Sequence, residues 1–309
     1  MSIAIIFSNK DPEPWAAALK HSLPDVKTEI YPRISDPEEV NFILCWKADK
    51  DILRQFPNVR VIQSAGASVD HILQLSHLRD DVVITRITDA RLSEDMWEYL
   101  LTAVLGYLKN TSSYAAAQQQ KVWKQLPYRS VRKTTVSILG IGTIGGFAAE
   151  RFAKLGFKVK GWSASVKNLD DVYCYHGLES LGEFLKHTDV LINLLPFTSA
   201  TANILNSKNL TEINSGGFLI NAGRGEHLEE QDLISLLNSG HLSGAMLDVF
   251  RQEPLPQDHA FWENEKISIT PHIAAITNIA SVVPQIAENY LNLQAGKALK
   301  NTVSKDKGY

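Results

Sequence analysis

Short, continuously apolar runs alternate with helical stretches along most of this chain. SIAIIFS (2–8) is followed by the helical PWAAALKHSLP (14–24), and NFILCW (41–46), ILRQFP (52–57), VRVIQSAGASVD (59–70) and VVITRI (82–87) read as further strands. Strands separated by helices predict a parallel sheet made of βαβ units. A long helix is expected from Ser93, with Ser93 as N-cap and Glu94 and Asp95 in the first turn, where the helix dipole favours acids. Leu100, Leu101, Val104, Leu105 and Leu108 recur along one face of it. The polar stretch 115–133 is expected to be a helix tail and a loop anchored by Trp123.

A second series starts at Thr134. Its strands are TTVSILG (134–140), FKVKGW (157–162), DVLINLLP (189–196), GGFLINA (216–222), GAMLDVF (244–250) and ISITPH (267–272). Runs this continuously apolar are usually covered by helices on both faces. From Thr277 the chain turns helical again and ends in a polar tail that is expected to be mobile. The pattern as a whole predicts an α/β fold of doubly wound parallel sheets.

Composition bounds this picture without changing it. At 309 residues the chain is too long for one ordinary core, so two domains are expected. With 44% hydrophobic and 21% charged residues it belongs with folded rather than disordered chains. A net charge of −3 carries no nucleic-acid footprint, and a small acidic substrate would need local basic groups. Cys45 and Cys174 match no metal or disulfide spacing and are expected as two buried free thiols in a reducing compartment. The first residues lack the basic region and cleavage site of a signal peptide, and no apolar run approaches a membrane span. A cytoplasmic protein with neither nucleic-acid nor membrane partners is the expectation.

Candidate chemistry begins at SILGIGTIGG (137–146). Gly140, Gly142 and Gly145 form G-x-G-x-x-G after an apolar strand and before an amphipathic helix with Ile144, Ala148, Phe152 and Leu155 as its inner stripe. In that context the first glycine permits the tight turn, the second lets backbone approach a pyrophosphate, and the third lets helix and strand pack closely. Backbone N–H groups at the helix start then face phosphate. An acid ending the following strand would bind ribose hydroxyls and favour NAD, yet that position is Ser163, followed by Ala164, Ser165, Val166 and Lys167. Hydroxyls and a lysine tolerate or bind a 2′-phosphate, so NADP(H) is the preferred cofactor. NAD(H) stays open, with Asp170 or Asp171 as the acid that would serve it.

Three more residues follow strands: Arg224 in NAGRGEH, Glu253 in DVFRQEPLP and His272 in ITPHIAA. Beyond the carboxyl ends of strands in an open parallel sheet lies the ligand crevice, so all three can converge on the cofactor's reactive end. Each alone has a plain structural alternative: a turn cap, a solvated loop acid, a core histidine. Together they are the anion clamp, carboxylate and acid/base that reduction of a ketone needs.

These residues carry a resemblance. GASVD (66–70), GIGTIG (140–145), LINLLP (191–196), NAGRG (221–225), GAMLDVFRQEPLP (244–256) and ITPHIAAIT (269–277) make the chain similar to the D-2-hydroxyacid dehydrogenase family over essentially its whole length, and within it to the glyoxylate/hydroxypyruvate reductase branch. The resemblance implies two Rossmann-like domains with an active-site cleft between them. Residues 1–95 would form the substrate domain, 96–276 the dinucleotide-binding domain, and 277–309 a C-terminal helix returning to the substrate domain. It implies a homodimer through the cofactor domains, to which the helix at 93–110 and the arm around Trp123 would contribute. His272 matches the general acid/base, Glu253 its carboxylate partner, and Arg224 the clamp for the substrate's carboxylate and keto oxygens. The backbone of Ala65, Gly66 and Ala67 matches the carboxylate-binding loop. Thr143, Ile144, Pro196, Ala222 and Asp248 match cofactor contacts, and Trp46 matches a pocket wall that disfavours long side chains. No metal is implied. The implied reaction is NAD(P)H-dependent reduction of a small 2-oxo acid, glyoxylate or hydroxypyruvate, to glycolate or D-glycerate.

Two departures stand out: Ser68 replaces the second glycine of the usual G-x-G-V-D loop, and Ala164 stands where this branch commonly carries arginine. The competing readings are a reductase of a bulkier 2-oxo acid and a nicotinamide-nucleotide-sensing regulatory protein on the same fold.

Overall fold

The computed structural model describes residues 1–305. The chain divides into two compact units, 1–91 with 277–309, and 92–276.

In the first unit, β1 (Ser2–Phe7), β2 (Thr28–Ile30), β3 (Val40–Trp46), β4 (Val61–Ser64) and β5 (Val83–Thr85) form a parallel sheet in the order β2-β1-β3-β4-β5. Helix α1 (Glu13–Ser22) follows β1, and α2 (Asp70–Leu73) follows the loop after β4. The second unit opens with α3 (Ala90–Leu108), which begins two residues before the division, and α4 (Thr111–Gln119). Then come β6 (Thr135–Leu139), α5 (Thr143–Lys154), β7 (Lys158–Ser163), β8 (Tyr173–His176), α6 (Leu181–Leu185) and β9 (Val190–Asn193). The series ends with α7 (Ser207–Leu210), β10 (Gly217–Asn221), α8 (Glu230–Asn238), β11 (Leu242–Leu247) and β12 (Ile267–Ile269). These seven strands run parallel in the order β12-β11-β10-β9-β6-β7-β8. Helix α9 (Ile279–Gln294) returns to the first unit and packs on α1.

Side chains alternate across a strand, so a continuously apolar strand needs a cover on each face. Leu191 and Leu219 enter one core with Phe184, Leu233 and Leu247, while their neighbours Ile192 and Ile220 enter the opposite core with Leu100, Val104, Ile138 and Phe152. Strand order reverses between β6 and β9, where a doubly wound sheet opens its crevice beyond the carboxyl ends.

Several expectations need correction. Helix α3 starts three residues before Ser93, which is buried inside it; the Asp89 carboxylate accepts the Arg91 N–H at 3.0 Å and caps that end instead. ILRQFP is a 3₁₀ turn, Ile52–Gln55, because Ile52, Leu53 and Phe56 bury one face at helical spacing. Edge strands β2 and β8 escaped detection: each has a single neighbour, and neither contains a buried residue. Leu155 is exposed, and α5 buries Gly145, Gly146, Ala148, Ala149 and Phe152. Trp123 is 100% exposed and anchors nothing among the described residues. Cys45 is buried, but Cys174 on β8 is only half-buried. The polar tail is tied down at 300–303: Lys300 N–H donates to Asn289 Oδ1, Val303 N–H to Ile84 O, and Thr302 bridges Thr85. The end of that tail, 306–309, lies outside the described residues.

Candidate active site

The three candidate residues lie in the loops after β10, β11 and β12, at one edge of the second unit's sheet. Arg224 lies three residues beyond β10, half-buried, with its guanidinium donating to Gly223 O at 2.7 Å. The next residue must be glycine, because a Cβ on Gly225 would lie 1.9 Å from the Phe250 carbonyl carbon. That close approach presses the Arg224 loop onto the segment after β11. There the Phe250 N–H donates to Glu253 Oε1 at 3.2 Å, and Glu253 Oε2 sits 2.9 Å from His272 Nδ1. The three candidates are therefore brought together within one unit. A carboxylate at this distance holds the imidazole with Nδ1–H toward Glu253 and leaves Nε2 to exchange a proton.

His272 has φ 55°, in the left-handed region that non-glycine residues seldom adopt. Its backbone is held there: His272 N–H donates to Asp248 O at 2.9 Å. The Asp248 carboxylate is 1% exposed and accepts from Thr270 Oγ1 (2.7 Å), Ile273 N–H (2.8 Å) and Ala274 N–H (2.9 Å). A buried carboxylate is stable only with donors of this kind, and here they lie on both sides of His272. Asp248 was expected at a cofactor contact; its side chain is turned to the histidine loop. The Thr270 hydroxyl hydrogen points to Asp248, so the Tyr99 hydroxyl, 2.7 Å away, donates to Thr270. Burial pushes the Tyr99 hydroxyl pKa upward, with Asp248 adding to the rise, and keeps it a donor.

The glycine turn follows β6 at the reversal of strand order. Gly140 has φ 97°, and a Cβ on Gly145 would lie 2.0 Å from Gly140 O, so packing demands both glycines. A Cβ on Gly142 would meet no atom of the described residues within 4 Å, so their packing does not require its small size. Exposed Thr143 and half-buried Ile144 open α5 beside it. Pro196, after β9, presents a carbonyl that accepts from Thr201 Oγ1 (2.9 Å), and Ala222 donates its N–H to Asn193 O (3.2 Å). This cradle fits a dinucleotide: an uncluttered backbone at Gly142, a twelve-residue helix starting at Thr143, and no acid ending β7. At that edge Ser163 is 9% exposed and its hydroxyl donates to Ser165 O at 2.7 Å. Ser165 and Lys167 are exposed, as are Asn168, Asp170 and Asp171.

In the first unit, Ala65 and Gly66 are buried and Ala67 is half-buried. Ala65 N–H donates to Cys45 O (3.0 Å) and Gly66 N–H to Ser64 Oγ (3.1 Å), whereas Ala67 N–H makes no hydrogen bond among the described residues. Trp46 ends β3 half-buried. Its ring edge would be 2.5 Å from a Cβ on Gly66, and its ring lies 5.0 Å from that of His71.

Sequence reasoning passed over Asn193, Asn221 and His227, which are fully buried behind Arg224. Their signal was present: the runs LIN at 191–193 and 219–221 each end an apolar strand on asparagine, and the two asparagines pair in register.

The profile of the D-isomer specific 2-hydroxyacid dehydrogenase NAD binding domain matches residues 101–274. This chain belongs to the D-isomer specific 2-hydroxyacid dehydrogenase family. Glyoxylate/hydroxypyruvate reductase A of Serratia proteamaculans is 37% identical to it over 302 residues, 96% of either chain. The namesake from Yersinia enterocolitica is 35% identical over 300 residues, again 96% of either chain. Among solved structures, a D-isomer specific 2-hydroxyacid dehydrogenase from Xanthobacter autotrophicus, in complex with NADPH and MES, superposes with a TM-score of 0.93 at 33% identity, covering 100% of this chain and 99% of its own. An NADPH-dependent glyoxylate/hydroxypyruvate reductase from Sinorhizobium meliloti, in complex with NADP and sulfate, also gives 0.93, at 32% identity with 100% of both chains covered. The family is thus one of two Rossmann-like α/β domains and of oxidoreductases. Among the described residues, no helix is long and apolar enough to cross a membrane.

Proposed function

We propose that this family member reduces glyoxylate and hydroxypyruvate to glycolate and D-glycerate with NADPH. The observation that carries the reading is the 2.9 Å contact between His272 Nδ1 and Glu253 Oε2, joined through Gly225 to the loop of Arg224. The nicotinamide cofactor supplies a hydride when bound. Gly142, Thr143, Ile144, Pro196 and Ala222 would hold it, with Gly140 and Gly145 shaping the turn and Asp248 holding the loop beside it. Hydride arriving at the keto carbon leaves negative charge on oxygen, and His272 Nε2 gives that oxygen its proton. Glu253 stabilises the imidazolium before the transfer and keeps the ring oriented after it. Arg224 binds the carboxylate and keto oxygens, a pairing that suits a planar guanidinium. The open N–H of Ala67 serves a carboxylate oxygen within the 65–67 loop, and Trp46 limits the substrate's side chain. Ser165 and Lys167, beside Ser163, favour a 2′-phosphate over a bare ribose.

The named reductases of Serratia, Yersinia and Sinorhizobium support the substrate pair and NADPH. We place the protein in the cytoplasm as a homodimer through its cofactor domains. Exposed Tyr114, Val122 and Trp123, which line one surface pocket, support that interface, since apolar groups clustered at a surface mark a contact.

The test is NADPH oxidation followed at 340 nm with glyoxylate, hydroxypyruvate, pyruvate and phenylpyruvate. The first two are expected ahead of pyruvate by a graded margin, since a small misfit in a pocket is worth only about 1–3 kcal/mol. Faster turnover of phenylpyruvate overturns the small-substrate reading, and a clear preference for NADH overturns the cofactor reading.

A further inference from the structure

We propose that His227 is a positioning residue: a neutral imidazole carrying its proton on Nε2, which sets the Arg224 backbone from one edge of its ring and the Pro196 turn from the other. The inference rests on the function proposed above for Arg224 and Pro196, and adds the device that couples them.

The protonation follows from groups that have no choice of role. His227 is 0% exposed. Its Nδ1 lies 3.2 Å from the Arg224 backbone N–H, which can only donate, so Nδ1 is the acceptor. Its Nε2 lies 3.3 Å from Pro196 O, which can only accept, so Nε2 bears the hydrogen. The flanking amides agree. Leu195 N–H donates to Asn193 Oδ1 at 3.3 Å, which turns Asn193 Nδ2 toward His227 Nδ1 (2.9 Å) and Asn221 Oδ1 (2.9 Å). Gly223 N–H donates to Asn221 Oδ1 at 3.2 Å, which turns Asn221 Nδ2 to donate to Arg224 O at 3.0 Å. Both backbone polar groups of Arg224 are thus held by buried side chains. A proton on Nδ1 would face two N–H donors, so the imidazolium does not fit this site.

A histidine fits here because its two nitrogens face opposite ways. One reaches the loop that would clamp a 2-oxo acid, the other the turn that would lie along the cofactor. A Cβ on Gly223 would come within 3.2 Å of Nδ1, so the Arg224 loop rests directly on the ring. Leucine or methionine would fill the volume and satisfy neither group, and one buried hydrogen bond left unmade costs about tenfold in an equilibrium.

Asparagine separates the two edges, since its Oδ1 falls near the Nδ1 position while nothing replaces Nε2. The experiment compares His227→Ala, His227→Asn and His227→Leu. His227→Ala and His227→Leu are expected to raise the KM for glyoxylate about tenfold with a smaller change in kcat. His227→Asn should restore that KM to near wild type yet share with the other two a weakened NADPH affinity, read by fluorescence titration. Equal effects of all three substitutions on both ligands, or a loss of thermal stability alone, would show a filler of space and overturn the proposal. Nitrogen-15 NMR of the wild-type ring at pH 7 is a second arm, independent of turnover and of any variant's folding. Protonated Nε2 with bare Nδ1 is expected, and the opposite tautomer or an imidazolium overturns the assignment. If wild-type protein turns over no small 2-oxo acid, the functional reading falls while the tautomer and the NADPH titrations still judge His227.

Discussion

Two stretches along the carboxyl edge of the second sheet are built in opposite ways. After β9 through β12, the chain is cross-braced by buried side chains. Asn193, Asn221 and His227 hold the Arg224 loop, Gly225 locks it against Phe250, and Asp248 fastens both flanks of His272. After β7, residues 164–168 lie exposed, and within this stretch Ser163 spends its hydroxyl on Ser165 O. Groups that move a proton or align a small anion lose their use when displaced by about an ångström, so their surroundings over-determine them. Groups that choose between two cofactors act on a feature at the ligand's far end. They can be exchanged there at little cost in stability.

The contrast breaks first at His272. A positioned general acid contributes about 10²–10⁴-fold, so His272→Ala should lose at least about a hundredfold in kcat while NADPH still binds. Near-normal turnover would remove His272 from the chemistry. Arg224→Lys comes next: an ammonium cannot make the paired contact, so KM should rise and kcat fall, with kcat/KM down about tenfold or more. If only the melting temperature drops, Arg224 merely caps the turn at 225–227.

On the loose side of the comparison, Ala164→Arg should sharpen the preference for NADPH over NADH by up to about tenfold, as a charge-assisted hydrogen bond to a 2′-phosphate would. The melting temperature should hardly move, since Ala164 is exposed. A large change in stability would contradict the idea that this edge is unbraced.

The last test lies in the core of the first unit, at Cys45. Burial pushes the Cys45 thiol up to about 12 from its ordinary 9.0. The folded state then holds this proton more tightly than the unfolded state, so the thiol's contribution is intact below pH 9 and is lost as pH rises toward 12. The unfolding free energy from urea titration should decline above pH 9 by at most about 1.4 kcal/mol per pH unit from this group. Cys45→Ala should flatten that decline, and an unchanged slope would mean that Cys45 contributes none of it.

Much of the frame was legible because it rests on local periodicity. The apolar runs at 2–8, 134–140 and 189–196 became β1, β6 and β9, and the glycine spacing at 140–145 became the turn before α5. Edge strands β2 and β8 were not legible, since neither contains a buried residue and so neither needs a continuous apolar run. The start of α3 was misplaced because Ser93 and Asp89 are both acceptable caps, and burial of Ser93 decided between them. At the site, residue types and strand-end positions singled out Arg224, Glu253 and His272, yet nothing local linked Tyr99 to Thr270 across 171 positions.

The sequence alone determined which elements form and which chemical groups stand at their ends, because hydrophobic period, glycine conformational freedom and side-chain type act over a few neighbouring residues. Only the tertiary structure decided which of those groups meet. It turned Asp248 inward to hold the histidine loop, left Ala67 as the open N–H of its stretch, and made His227 the ring on which the Arg224 loop rests. Hydrogen bonds are short and directional, and the partners that tie these loops together, Asp248 with Thr270 and Ala274 and Asn193 with His227, lie 22 to 34 residues apart, brought together by the parallel stacking of strands whose carboxyl ends share one edge.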